Sequence, residues 1–440
     1  MKTGGYDMLA KKFTLSIVLV IFVCLIVSGC GDSSSSNKGS GSSNEKQKIT
    51  VLLPKHEMDN VGFMEKETRQ FEKETGIQVE LINMSWDNVA DKITVEMASN
   101  ANSYDVIELD NSWVAKFATN KWITPLNEFI GSEIKEGVLP GLLDKFSYNG
   151  DLYGIPWNND TRFFMYNKKK LDAAGISEPP KTWDELKEQS KILMDKGLVK
   201  YGFIDSLMQA QSGMNELTFM TYSFGGNYID GSGQVNLTNN APLIKAYEYL
   251  RKGLNEDKFI DPASITSNYE TVADVFLKGD TAFFLQAWPG LYQTANDPDK
   301  SKIVGEIAVA PYSPGVDESS STVLTLPEAM AIPQSSKNKE AAWKYIEYMS
   351  SKKFDKKKAQ EIGALPIWTD LFNDSELLAV YPYWKDFGKQ SLKAKGLQDI
   401  LWYDQFSNVV QVESIKILLG KNSIEDGFKA IESNVAQFSK

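Results

Sequence analysis

Between residues 48 and 110 the chain alternates short β-branched runs with helical periodicity, and this constrains the fold more than any other feature. "KITVLLP" reads as a strand, followed by a helical stretch ending in "FEKETG", where Gly76 is placed to cap it. "IQVELINM" is a second strand, "WDNVADKITVEMASN" an amphipathic helix, and "YDVIEL" a third strand. Strand, helix, strand, helix, strand at this spacing predicts an α/β fold with a parallel sheet covered on both faces. In such sheets ligands sit beyond the carboxyl ends of the strands. Here those ends carry His56-Glu57, Ser85-Trp86 and Asp110-Asn111-Ser112-Trp113, which are polar and aromatic.

After "LYGIPWNND" the pattern starts again, and a chain of 440 residues is long enough for two lobes. "RFFMYN" predicts a strand. The helix in "PPKTWDELKEQSKILMDKG" is marked by Thr182 as N-cap and Glu185 three residues on, a capping box. Residues 210–275 are mostly helical in pattern, broken at "FGGN" and "DGSGQ". "TAFFLQAWPG", "IAVAPY" and "AMAIPQ" are strand-like, while "NKEAAWKYIEYMSS" and residues 396–440 read as helical.

Composition removes several functions. The net charge is −11 and only three of 47 basic residues are arginine, so the basic stripe that phosphate backbones require is missing and no nucleic-acid partner is expected. The only cysteines are Cys24 and Cys30, so the rest of the chain cannot build disulfides, thiolate metal sites or a cysteine nucleophile. His56 is the only histidine, which rules out zinc sites rich in histidine and leaves a Ser-His-Asp triad one candidate base. No cofactor or metal is implied.

The start of the chain reads as an address. Lys11 and Lys12 precede a largely apolar run over residues 13–27, which meets Ser28-Gly29. Fifteen helical residues span about 22 Å, short of the roughly 30 Å of bilayer hydrocarbon, so an export signal is the better reading than a permanent membrane helix. Val27-Ser28-Gly29-Cys30 resembles a bacterial lipobox, whose cysteine becomes the lipidated first residue of the mature chain. Residues 31–48 hold no hydrophobic side chain and are rich in Ser and Gly, a composition that predicts a tether of roughly 23 Å r.m.s. span.

The stretches "FEKETGIQVE", "YDVIELDNSWVAKFATNKWITPLNEFI", "LYGIPWNNDTRFFMYNKKKLDAAGISEPPKTWDELKE", "FLKGDTAFFLQAW", "AMAIPQSSKNKEAAWKYIEYM" and "GALPIWTD" follow one another in register. In that order they resemble family 1 of the extracellular solute-binding proteins of bacterial ABC importers, the group of the maltose-binding proteins. The resemblance implies a two-lobed α/β fold of the periplasmic-binding-protein type (type II), with discontinuous lobes and a ligand cleft between them. Crossings near residues 158, 301 and 352 would divide the chain into a signal peptide (1–29), a tether (30–47), an N-lobe (48–158 plus 302–352) and a C-lobe (159–301 plus 353–440). It also implies no catalysis: a monomer, palmitoylated or otherwise acylated at Cys30 on the outer face of the cell membrane, captures a sugar and presents it to permease subunits of an ABC transporter.

A sugar site needs aromatic faces for the C–H patches of the rings, with carboxylates, amides and guanidinium groups for the hydroxyls. "IPWNNDTR" supplies these densely as Trp157, Asn159, Asp160 and Arg162, and the family's motif places the binding carboxylate at Asp160. Arg162 would either meet the ligand or orient Asp160, and Trp157 would either stack on ligand or pack the hinge. Asp110 and Trp113 follow the third strand, where an Asx cap on the next helix is the competing role. Trp288 and Trp368 end apolar segments where relatives place stacking rings, although Ala287-Trp288-Pro289 replaces the family's Gly-Pro-Trp and shifts that ring by one residue. Trp86 completes the candidate set. Asn215-Glu216, ahead of Gly225-Gly226, would either reach the cleft or, the stronger reading, form a solvated helix face, and Trp183, Trp343, Trp384 and Trp402 read as core. A secreted glycoside hydrolase would draw on the same residue types, with two catalytic carboxylates roughly 5–10 Å apart, but no such pair stands out in the sequence.

Overall fold

The computed structural model describes residues 47–55, 62–99, 101–230, 233–398 and 400–438. The signal segment, Cys30, nearly all of the tether and His56 lie outside the described residues.

Eight strands, numbered along the chain, form two sheets. The first contains β1 (Lys48–Pro54), β2 (Gln78–Met84), β3 (Val106–Asp110), β4 (Ile155–Asn158) and β8 (Glu328–Ala331), in the order β2-β1-β3-β8-β4. β1 pairs in parallel with β2 and β3, as the strand–helix alternation predicts. Helix α1 (Phe63–Thr75) buries Phe63, Met64, Thr68 and Phe71 and stops at Gly76, whose φ of 75° lets its N–H reach the Glu72 carbonyl. Helix α2 (Trp86–Ala98) buries Val89, Ile93 and Met97, spaced four apart along one face. Helix α3 (Val114–Thr119) follows a short 3-10 turn, Asn111–Trp113.

The second sheet contains β5 (Phe163–Asn167), β6 (Phe283–Ala287) and β7 (Ile307–Val309), with β5 at the centre and antiparallel to both neighbours. The restarted pattern does not give a second parallel sheet: a long, mostly helical segment separates β5 from β6, and β6 and β7 flank β5 on opposite sides, each antiparallel to it. Alternation along β5 sends Phe163 and Met165 into one hydrophobic cluster and Phe164 and Tyr166 into the other, so both faces are covered. Around this sheet lie α4 (Trp183–Asp195), α5 (Gln211–Ser223), α6 (Ala241–Asn255) and α7 (Tyr269–Leu277). At the start of α4 the Thr182 hydroxyl accepts from Glu185 N at 3.2 Å, but the Glu185 carboxylate accepts from Lys181 N rather than from the cap itself.

Later in the chain come α8 (Lys339–Met349), α9 (Lys352–Ile362), α10 (Tyr403–Leu418) and α11 (Ile424–Val435). Two of the expected crossings fall elsewhere. β7 pairs with β5, so residues 307–309 belong with the second sheet and not with the N-lobe that the expected division at 301 gives them. Past residue 352, α9 still packs on α1 through Phe354 against Phe63 and through a Lys66–Glu361 salt bridge of 2.8 Å. A short apolar strand carries no mark of which sheet it joins, and pairing across more than a hundred residues decides it. Among the described residues no helix is long and apolar enough to cross a membrane.

Candidate functional site

Two segments that link the sheets run side by side. Arg162 N donates to the Leu324 carbonyl and Leu326 N to the Asp160 carbonyl, both at 2.8 Å, with Thr161 bridged to Thr325 between them. This pairing fixes the backbone at 160–162 and holds both charged side chains at the junction of the sheets. There a cavity is lined by Pro54, Trp86, Asp110, Asp160, Arg162, Asn215, Tyr269, Leu326 and Glu328. Pro54, Trp86 and Asp110 come from the carboxyl ends of β1, β2 and β3, the position at which open α/β sheets bind ligands.

One wall is aromatic. Trp86 stacks on Trp113 with ring centroids 5.9 Å apart and planes within 10°, and Trp113 in turn stacks on Phe117 at 5.7 Å. Trp86 is half-buried and lines the cavity, whereas Trp113 is buried behind it as its support. On the other side the Arg162 guanidinium lies 4.7 Å from the Tyr269 ring centre and 5.7 Å from that of Trp288, and donates to Asp160 Oδ2 at 2.5 Å. Both members of this ion pair are buried. Trp288 thus meets the site through Arg162 and through an edge-on contact with Tyr269.

Asp110 combines two roles that the sequence left as competitors. Its Oδ1 accepts from Ser112 N and Ser112 Oγ, capping the turn that leads into α3, and it also lines the cavity. Burial pushes its carboxyl up to about 7 against those two hydrogen bonds. Behind it, Glu108 is driven well above the carboxylate range by burial first and by the Glu328 charge second, while Trp157 Nε1 opposes this by donating at 3.1 Å. A group whose folded-state pKa is raised binds its proton more tightly folded than unfolded, so its contribution to stability falls as pH rises from about 4 to about 7. Asp110→Asn keeps the acceptor for Ser112 and cannot ionise. Its stability relative to the parent should therefore rise across that window, by at most about 1.4 kcal/mol per pH unit, and level off above it. Denaturant melts at four pH values measure this, and a pH-independent difference contradicts it.

Other sequence candidates serve the frame. Trp157 is buried, its indole donating to Glu108 and its carbonyl accepting from Lys358 Nζ. Asn159 Nδ2 donates to the Pro366 carbonyl at 3.0 Å, and the residue lines a separate groove with Leu139, Thr161 and Phe387. Trp368 donates to the Ser350 carbonyl at 2.9 Å and its ring lies flush against Gly137, where a Cβ would come within 2.0 Å of it. None of these three lines the cavity. An apolar segment ending in tryptophan can close a core as readily as a cleft, and here Asp355 and Gly137 seat the ring inside.

The site also holds residues outside the candidate set. Glu328 opens β8 and lies opposite both Asp110 and Asn158 in the ladder, so an antiparallel partner over two hundred residues away carries it in. Asn158 Nδ2 donates to Glu328 Oε2 at 2.8 Å. Asn215 and Glu216 are buried on α5, not solvated, because that helix is enclosed on nearly all sides. Asn215 donates to the Tyr269 hydroxyl at 3.3 Å. Glu216 faces Asp205; burial and their mutual repulsion raise Glu216 well above the carboxylate range, and burial lifts Asp205 to about 7, as expected of two carboxyls sharing a proton. Trp183, Trp343 and Trp384 are buried core residues. Among the described residues no group of three or more His, Cys, Asp or Glu side chains is placed to hold a metal ion.

Two sheets joined by paired crossing segments, with an aromatic and carboxylate-lined cavity at the junction, define a two-lobed binding protein. The chain belongs to the bacterial extracellular solute-binding proteins, whose family model matches residues 58–356. It is similar to the maltotriose-binding protein of Pyrococcus abyssi, 25% identical over 276 residues that cover 61% of this chain and 55% of that one. Among solved structures, a maltose-bound protein of T. maritima superposes with a TM-score of 0.82 at 24% identity, covering 89% of this chain and 99% of the other. A solute-binding protein of an ABC transporter from Thermotoga lettingae, bound with α-D-tagatose, gives 0.80 at 25% identity, covering 90% of this chain and all of that one.

Proposed function

We propose that the protein captures a sugar, a di- or oligosaccharide, in the cavity between the two sheets and delivers it to permease subunits of an ABC importer without chemical turnover. The observation that carries this is the pairing of a Trp86–Trp113 stack with the Asp110, Asp160 and Arg162 cluster across one cavity. An aromatic platform takes the C–H face of a sugar ring, and carboxylates with a bidentate guanidinium take its hydroxyls. The maltotriose and maltose named for similar proteins support a di- or oligosaccharide, and the tagatose named for another supports a sugar in general. Ligand contact is assigned to Trp86, Asp110, Asp160 and Arg162, with Tyr269, Asn215 and Glu328 added, and with Trp113 and Trp288 as supports.

The mature chain is held to the outer face of the membrane through acylated Cys30, with residues 31–47 as the tether and the chain acting as a monomer. A thermal-shift panel of neutral mono-, di- and oligosaccharides tests the binding. One sugar at a hundred times its Kd should add about 2.7 kcal/mol of stability, and Trp86→Ala should weaken that sugar at least tenfold. A panel without any stabilising sugar overturns the reading. The anchor has its own test: Cys30→Ala should release the protein from membranes with sugar affinity unchanged, and a variant that stays membrane-bound contradicts it.

A further inference from the structure

A salt bridge between Lys116 Nζ and Asp404 Oδ2 joins α3, on the side of the first sheet, to α10, on the side of the second. Lys116 lies on the helix that follows Asp110 of one wall, and Asp404 is next to Tyr403, which is hydrogen-bonded toward the other. Lys116 follows Asp110 and Trp113 in the turn and helix that carry them, and its ammonium also lies 5.6 Å from the Trp122 ring centre. Asp404 sits in the first turn of α10, where a carboxylate complements the helix dipole. Its neighbour Tyr403 accepts at the hydroxyl from Gln211 Nε2 at 2.8 Å; the same amide group donates to Asn215 Oδ1 at 2.9 Å, and Asn215 donates to Tyr269. Ser407, one turn further along α10, donates to Gln211 Oε1 at 3.1 Å. A chain of hydrogen bonds therefore runs from Tyr403, beside Asp404, through Gln211 to Asn215 and Tyr269 on one wall, while Lys116 lies on the helix that follows Asp110 and Trp113 on the other.

We infer that Lys116 and Asp404 are positioning residues that clasp the two walls of the cleft together over a bound sugar. The inference rests on reading the cavity as the sugar site. Neither residue lines the cavity, so the pair acts on the geometry of the walls and not on the ligand directly. The Lys116 side chain is only 16% exposed and that of Asp404 35%, which shields the pair from solvent more than an ordinary surface contact. Opening the cleft would separate the two charges into water, so the bridge acts chiefly on the rate of ligand release.

The test uses the mature protein and the sugar that the panel identifies. Lys116→Ala and Asp404→Ala should each raise Kd about fivefold, mainly through faster dissociation, and flatten its dependence on salt. The double reversal Lys116→Glu with Asp404→Lys should bind better than either single reversal. Single alanine variants within twofold of the parent, or a double reversal no better than the singles, overturn the inference. Small-angle scattering of the sugar-free proteins separates this from the sugar reading itself. Both alanine variants should show a larger radius of gyration than the parent, and an unchanged radius overturns the clasp even if no sugar in the panel binds.

Discussion

Arg162→Ala is expected to cost about 3–5 kcal/mol of stability, because it leaves the buried Asp160 carboxylate without its guanidinium. The guanidinium also fills the space between the faces of Tyr269 and Trp288, so the loss is one of packing as well as of charge. Arg162→Lys should recover little, since an ammonium neither forks onto a carboxylate nor spreads over two rings. Sugar affinity should fall together with stability, because Asp160 loses the group that fixes its rotamer. Urea titrations of parent and variants measure the first effect. A loss below about 1 kcal/mol would mean that the pair behaves like a surface salt bridge.

The second large effect is expected at Asp355 and Lys358 on α9, both fully buried and 3.1 Å apart. Asp355 Oδ2 accepts from Ile367 N at 2.8 Å and Trp368 N at 3.1 Å, and Lys358 Nζ donates to the Trp157 carbonyl. Burial nevertheless outweighs the lysine and the two backbone donors and raises the Asp355 carboxyl above its ordinary range. Asp355→Ala strands two buried N–H groups and an ammonium, and Lys358→Ala strands a carboxylate; each should cost about 3–5 kcal/mol. The double variant Asp355→Leu with Lys358→Met should cost less than the sum of the two, because the desolvated charges leave together. Additive losses in the cycle would show that the two residues do not act as a pair. The sequence offered no hint of this lock, which ties Trp157 and Trp368 into the frame and explains why neither faces the cavity.

What could be read from the sequence follows the range of the contacts involved. The first three strands and their helices were legible because each is written in local periodicity, with Gly76 closing α1, and Thr182 marked the start of α4 in the same local way. Trp86, Asp110, Asp160 and Arg162 were legible because they stand at strand ends or in a dense polar and aromatic string, and the structure brings all four to one cavity. Glu328 and Tyr269 were not, since ladder pairing over a long separation carries in the first and helix packing the second, and Asn215 read more strongly as part of a solvated helix face. Glu328 looks like the polar start of a strand until the ladder sets it opposite Asp110. The membership of β7 in the second sheet was hidden for the same reason, as three apolar residues fit either sheet. The placing of Trp157 and Trp368 in the frame was not legible, because an aromatic at the end of an apolar run carries no sign of which side of the frame it faces.

The proposed function is capture without conversion. Isothermal titration of the mature protein with the sugar chosen by the panel, followed by chromatography of the recovered sugar after prolonged incubation, tests it most directly. One sugar bound per chain, an affinity weakened at least tenfold by Trp86→Ala, and sugar recovered intact are expected. Shortened sugar, with its production lost on changing Asp110 or Asp160 to the amide, would contradict it and make the cavity a hydrolytic site.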